Sequence, residues 1–237
     1  MGEKIEIPKY IHYCWFGGKP LPHEYEKYIQ TWKRFFPNYE IIRWDENNFP
    51  ISEIEYAREA YEENKMAFVS DVARIYALDK MGGIYFDTDV EVIKCFDEVL
   101  LEKSAVLGTE TVGETIGTGF MAFTKNHPIC KKMMEYYRTH SFKNQDSMMS
   151  NTQILASLLK NEYNLMPCGK IQTHSDIIIY PPEYFTAFNG YTGKNEITNH
   201  TYCVHHFAAS WFSPYRKFKE QTKRFLHRCT ECLKRQR

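Results

Sequence analysis

The chain has 237 residues, 43% of them hydrophobic and 16% aromatic, with 30 Lys and Arg against 30 Asp and Glu. Such a composition buries a substantial core and excludes an intrinsically disordered chain, and the balanced charge gives no expectation of a nucleic-acid partner. No apolar run reaches the roughly 18 residues of a membrane span, and the start, MGEKIEIPKYIHYCW, lacks the pattern of a secretory signal. Seven scattered cysteines, an odd number, do not form a disulfide framework and fit a reducing cytosol.

Lys9 to Trp15, rich in Tyr and Ile, reads as a buried first strand. Phe16-Gly17-Gly18-Lys19-Pro20 must be a loop, and in an α/β fold the glycines there let backbone approach a nucleotide. Trp15, at that edge, is placed either to stack on a base or to fill the core. Glu24 to Phe35 reads as a helix, Tyr39 to Trp44 as a strand, and Ile54 to Asn64 as a helix capped by Ser52. Strands alternating with helices at this spacing predict an α/β fold with a mostly parallel sheet flanked by helices.

From Phe68 to Met81, apolar residues recur at three and four, the stripe of a buried helix. Asp71 and Arg74 share one helical face, and by themselves would pass for an exposed ion pair worth tenths of a kcal/mol. Gly82-Gly83 stops the helix, and Ile84, Tyr85 and Phe86 form a short buried strand. Asp87-Thr88-Asp89 follows at its carboxyl end, where ligands of open α/β sheets sit. Two such carboxylates repel, and a divalent cation is the usual compensation, with Mn²⁺ or Mg²⁺ suited to hard oxygen ligands.

Val90 to Ile93 continues extended, and Ala105 to Thr109 and Gly119 to Thr124 read as strands separated by the loop TVGETIG. Ile129 to Tyr137 and Gln153 to Leu159 read as helices, and Ile177 to Tyr180 as a strand ended by two prolines. Thr201 to Phe207 is strand-like, so His205 and His206 point to opposite sides and only one reaches the crevice.

The string SDVARIYALDKMGGIYFDTDVEV, with IPKYIHYCWFGG before it and HHFAASW after it, resembles the glycosyltransferases with an Asp-x-Asp sugar region. That family includes fungal initiating mannosyltransferases, bacterial capsule-synthesis transferases and the catalytic domains of clostridial glucosylating toxins. The resemblance implies the Rossmann-like GT-A fold and retaining transfer of a sugar from a nucleotide diphosphate, most readily a UDP-sugar (glucose, galactose or an N-acetylhexosamine) with GDP-mannose also open, to a saccharide or lipid-linked acceptor. It implies Asp89 on the metal with Asp87 and His205, and Asp71, Arg74, Tyr85 and Asp87 around the donor sugar. Trp15 and Gly17 would meet the nucleotide, and Ser210 and Trp211 would close over the diphosphate. His206 stands second to His205. Where many relatives place Gly-Pro before a helix, this chain has Ser150-Asn151-Thr152. No residue is assigned as a covalent nucleophile.

Tyr215 to Arg237 holds nine Lys and Arg against two Glu, a net +7, with Phe218, Phe225, Leu226, Cys229, Cys232 and Leu233 on one helical face. Such a basic amphipathic helix either binds an anionic membrane surface or docks on its own domain, so residues 1–214 are expected as the transferase domain and 215–237 as an appended helix. Cys229 and Cys232 lack the further ligands of a zinc site. With the family resemblance, these features suggest a cytoplasmic bacterial enzyme, peripheral at the inner face of a membrane and working on capsule or lipopolysaccharide precursors, rather than a Golgi enzyme. A phosphatase of the haloacid-dehalogenase type also carries Asp-x-Asp after a strand but needs later acidic residues, and after Asp146 the only aspartate is Asp176. A non-catalytic sugar-nucleotide-binding protein is the other alternative, and the intact carboxylates count against it.

Overall fold

The computed structural model of the chain describes residues 5–110, 115–144, 148–189 and 192–208. The first strand, β1 (Tyr10–Cys14), is followed by α1 (His23–Phe35) and β2 (Glu40–Trp44), and β2 pairs parallel to β1. A 3-10 turn at Ile51–Glu53 leads into α2 (Glu55–Glu62), so Ser52 is no cap. The N-cap is Ile54, with no side-chain hydrogen bond, because the chain after Pro50 turns before it enters the helix.

Helix α3 (Met66–Met81) returns the chain to β3 (Gly83–Phe86), which lies parallel to β1 on its other side. The connection is tight. Gly82 and Gly83 have φ of +67° and +105°, and a Cβ on Gly83 would come within 2.7 Å of the Tyr10 carbonyl oxygen, so both positions demand glycine.

β4 (Val90–Val92) and the short helix α4 (Asp97–Leu100) precede β5 (Ala105–Glu110) and β6 (Thr115–Phe123). The stretch read as a loop after Thr109 is thus in part strand, since β6 begins at Thr115. Helices α5 (Pro128–Thr139) and α6 (Asn151–Tyr163) follow, the second opened by a capping box in which Ser150 and Gln153 bond each other's backbone. Then come β7 (Gln172–His174), β8 (Ile177–Tyr180), α7 (Pro182–Phe185), the small hairpin β9 (Phe188–Asn189) and β10 (Lys194–Asn195), and β11 (Cys203–His205).

The central sheet runs β2-β1-β3-β6-β5-β8-β7. All of its strands but β6 and β7 point the same way, so the sheet is mostly parallel. Alternation along β3 feeds two cores: Tyr85 faces α2, α3, α5 and α6, while Ile84 and Phe86 face α1 and the Phe96, Phe120 and Phe185 rings. On that second face β11 pairs antiparallel with β4, His205 opposite Val90. Trp32 of α1 ties β4 down, its indole N–H donating to the Val90 carbonyl at 2.8 Å. A late segment of the chain is thereby brought beside the acids that follow β3.

Among the described residues no helix is long and apolar enough to cross a membrane. Cys14, Cys95, Cys130, Cys168 and Cys203 are free thiols. Ser210, Trp211, the basic helix expected over 215–237 and the domain boundary expected before it lie outside the described residues.

Candidate active site

The strands β1, β3 and β5 end on one edge of the sheet, because they run in the same direction. Asp87 therefore emerges at the carboxyl end of β3, on the sheet edge it shares with the loop after β1 and the end of β5, the edge at which ligands of open α/β sheets sit. Its backbone N–H donates to the Gly119 carbonyl at 2.8 Å, which fixes the turn.

The partner strand is irregular where this happens. Leu107 faces Met121, whereas Thr109 already faces Ile116, so β6 carries extra residues in a bulge. The bulge carbonyls position the site: Gly119 holds Asp87, and the Thr118 oxygen accepts from Arg74 Nη1 at 2.8 Å.

Arg74 is the hub. Its guanidinium meets Asp71 Oδ1 at 3.0 Å and Asp87 Oδ1 at 3.1 Å, and it lies over the Tyr85 ring, 4.7 Å from the centroid. Only 8% of its side chain is exposed, so the reading of an exposed ion pair with Asp71 does not hold. The Tyr85 hydroxyl also donates to Asp87 Oδ1, at 2.9 Å. One oxygen of Asp87 is thus fully occupied, which leaves Oδ2 to face Asp89 and His205.

Asp71 is approached by the Asn151 amide at 3.4 Å, and Asn151 in turn accepts from the Tyr137 hydroxyl at 3.1 Å. Burial pushes the Asp71 carboxyl up to about 6, with Arg74 opposing the rise and Asp87 adding to it.

The second cluster is Asp87, Asp89 and His205, whose ligating atoms all lie within 4.8 Å of one another. His205 Nε2 stands 3.2 Å from Asp89 Oδ1 and 4.0 Å from Asp87 Oδ2. The Ala208 N–H donates to Asp89 Oδ2 at 2.8 Å, tying the segment after β11 to the acid. Burial favours a neutral Asp89, yet the His205 charge and these hydrogen bonds outweigh it and hold the carboxyl at about 2. Burial likewise favours a neutral His205, but Asp89 and Glu110 together hold its pKa well above the ordinary value. Two carboxylates and an imidazole converging on one point are a fitting donor set for Mn²⁺ or Mg²⁺.

His206 points the other way, as strand alternation requires. It stacks on Tyr28 with centroids 4.6 Å apart and pairs with Glu91 at 3.0 Å. Of the two histidines, His205 is the one in the cluster.

Asp71, Arg74, Tyr85, Asp87, Asp89 and His205 are therefore brought together, while Trp15 and Gly17 occupy the loop after β1 on the same sheet edge. Trp15 is half-buried, edge-on to Tyr25, with its indole N–H on the Lys19 carbonyl at 2.7 Å. The Gly17 N–H donates to Glu46 at 2.6 Å. Cys14, at the end of β1, reaches the Ser70 carbonyl beside Asp71 and links this loop to the acid cluster's helix.

Glu110, Asn151 and Tyr137 were not anticipated from the sequence. Only Asn151 had a signal, in the Ser-Asn-Thr that replaces Gly-Pro.

An open, mostly parallel sheet with paired carboxylates at its carboxyl edge is the architecture of the GT-A glycosyltransferases. Residues 22–106 match the family described as a glycosyltransferase sugar-binding region containing a DXD motif, and the match includes both aspartates. Inositol phosphoceramide mannosyltransferase 3 of Schizosaccharomyces pombe is 23% identical over 235 residues, covering 91% of this chain and 64% of that protein. Inositol phosphoceramide mannosyltransferase 1 of the same organism is 28% identical over 137 residues, or 54% of this chain and 41% of that one. The chain thus spans less than two thirds of the length of either relative. In fold it is similar to the solved PaToxG glycosyltransferase, with a TM-score of 0.56 and 20% identity over 68% of this chain and 71% of that one. The matched region, the two relatives and the likeness of fold together support a glycosyltransferase with a DXD sugar-binding region.

Proposed function

We propose that this protein transfers a hexosyl group from a nucleotide diphosphate sugar to a saccharide or lipid-linked acceptor. The observation that carries the reading is the convergence of Asp87, Asp89 and His205 at the carboxyl end of β3, directly beside the Arg74 clamp on Asp71 and Asp87.

Asp89 and His205 would hold a divalent cation, Mn²⁺ or Mg²⁺, with Asp87 contributing its free Oδ2 or meeting the ion's waters. When bound, the ion supplies Lewis-acid stabilisation of the charge that builds on the departing diphosphate. The remaining work falls to side chains. Asp71 and Arg74 orient the sugar hydroxyls, and because both are fixed by Asn151, Thr118 and Asp87, the donor meets a preorganised wall rather than a mobile one. Tyr85, packed under Arg74, keeps that guanidinium aimed at the crevice. Trp15 is assigned to the base and Gly17 to the nucleotide backbone, and Ser210 and Trp211 to closing over the diphosphate.

The donor we infer is a UDP-hexose, with retained configuration; the names of the two fungal relatives support keeping GDP-mannose among the donors tested. Cytoplasmic work on a capsule or lipopolysaccharide precursor, with residues 215–237 on an anionic membrane, belongs to the same proposal. Flotation with anionic liposomes, with and without those residues, tests the membrane contact, and equal flotation would remove it.

Calorimetric titration with UDP and with GDP, in the presence of Mn²⁺ or of chelator, tests the site. Metal-dependent binding of one nucleotide is expected; binding of neither would overturn the assignment.

A further inference from the structure

We infer that Glu110 is a positioning residue that acts through His205, holding its ring so that Nε2 faces the carboxylates; the inference rests on the metal-site reading above. Glu110 ends β5, and its Oε1 lies 3.5 Å from His205 Nδ1, on the far side of the ring from Asp89. An imidazole has two distinct nitrogens, and the partner of one decides what the other can do. With Nδ1–H directed at a carboxylate, Nε2 is left as the ligand, its basicity raised and its direction fixed.

The rest of the pocket is shaped for the same purpose. A Cβ on Gly117 would come within 2.7 Å of Glu110 Oε1, and one on Gly119 within 2.6 Å of His205 Cε1. The two glycines of the β6 bulge thus clear the space in which the Glu110 and His205 side chains meet. Phe207 closes the ring's open face, stacked at 3.9 Å between centroids. Glycine, aromatic and carboxylate therefore restrain the imidazole on three sides.

Glu110 acts at one remove from the reacting atoms, and the test must separate that from ligation. Mn²⁺ alone, titrated into the full chain and followed by the electron paramagnetic resonance of the free ion, gives the affinity. Glu110→Ala is expected to weaken it about 10- to 100-fold, and Glu110→Gln, which keeps an oxygen in place, by less. On a His205→Ala background Glu110→Ala should cost nothing more, because its effect passes through the ring. The nitrogen coupling of the bound ion, read by pulsed resonance, should persist in Glu110→Gln.

Unchanged affinity in Glu110→Ala, or losses that add in the double variant, would overturn the inference while leaving the metal site standing. Wild-type protein that takes up no Mn²⁺ would end both. If Glu110→Ala fails to fold, as judged by a melt without metal, the near-isosteric Glu110→Gln and its double with His205→Ala carry the comparison.

Discussion

Arg74 Nη1 sits 3.1 Å from Asp87 Oδ1, so a helix residue is bolted to the first carboxylate of a motif that follows a strand. The same guanidinium holds Asp71 with Nη2 at 3.0 Å and the Thr118 carbonyl with Nη1. A planar fork can satisfy three acceptors at once, whereas an ammonium on a flexible stem cannot. Arg74→Lys should therefore keep the charge and still lose donor turnover, by about 100-fold, through misplacement of Asp87. Arg74→Ala leaves two carboxylates facing each other with no cation between them and should cost about 3–5 kcal/mol in urea unfolding. Turnover within threefold of wild type in Arg74→Lys would contradict the clamp.

Two glycines at opposite ends of the β3–β6 pair separate function from stability. Gly119→Ala would set a Cβ 2.6 Å from His205 Cε1 and 3.1 Å from Asp87 Oδ2, so Mn²⁺ binding should fall sharply. The strain is local, and overpacking of this kind costs about 1–3 kcal/mol. Gly83→Ala lies at the opposite end of β3 and meets the Tyr10 backbone at 2.7 Å with φ at +105°. It should impair folding more than Gly119→Ala does, which parallel denaturant melts would show.

Acid stability should depend on His12. This buried ring bonds the Gly82 carbonyl through Nε2 at 2.8 Å and accepts from the Trp44 indole at Nδ1 at 3.1 Å, an arrangement that needs the neutral tautomer. Burial lowers its pKa to about 4, against an ordinary 6.5. Between those values the unfolded chain binds the extra proton, so stability is full above pH 6.5 and is lost as the pH falls toward 4. The loss from this site amounts to about 3 kcal/mol. Unfolding curves across that window should show a shallower pH slope in His12→Gln than in wild type, and identical slopes would count against it.

Ser150 is a further point of leverage. Its side chain accepts from the Gln153 N–H while the Gln153 side chain accepts from the Ser150 N–H, at 2.8 Å. Ser150→Ala should cost about 1 kcal/mol. Because α6 begins with Asn151, which reaches Asp71, the variant should also weaken donor binding more than a cap on a remote helix would. A loss of stability with unchanged donor affinity would show that the cap and the Asp71 wall are independent.

Much of this site was legible because local signals agreed. The stripe from Phe68 to Met81, the Gly82-Gly83 stop and the apolar Ile84-Tyr85-Phe86 each follow from periodicity or backbone freedom, and the structure returns them nearly residue for residue. The position of the acids at the strand end came with them. Alternation also set His205 and His206 on opposite sides, but which one met Asp89 was decided by the docking of β11 on β4, a pairing between distant segments. Ser52 misled because a cap-like residue preceded an apolar run, while Pro50 had already started a separate turn. Gly117 read as a loop residue, since glycine in a strand looks like a turn; its reason is the space Glu110 needs, which only the folded sheet reveals. Glu110 itself is a lone acid at a strand end and becomes meaningful only beside His205.

Asp87, Asp89 and His205 are proposed as the metal centre of a sugar transferase. Release of free nucleotide diphosphate from a panel of UDP- and GDP-sugars, with Mn²⁺ present or chelated, decides the matter. Release from one donor that needs the ion and disappears in Asp89→Ala is the predicted result. Release that proceeds equally in chelator, or that survives Asp89→Ala, would contradict it.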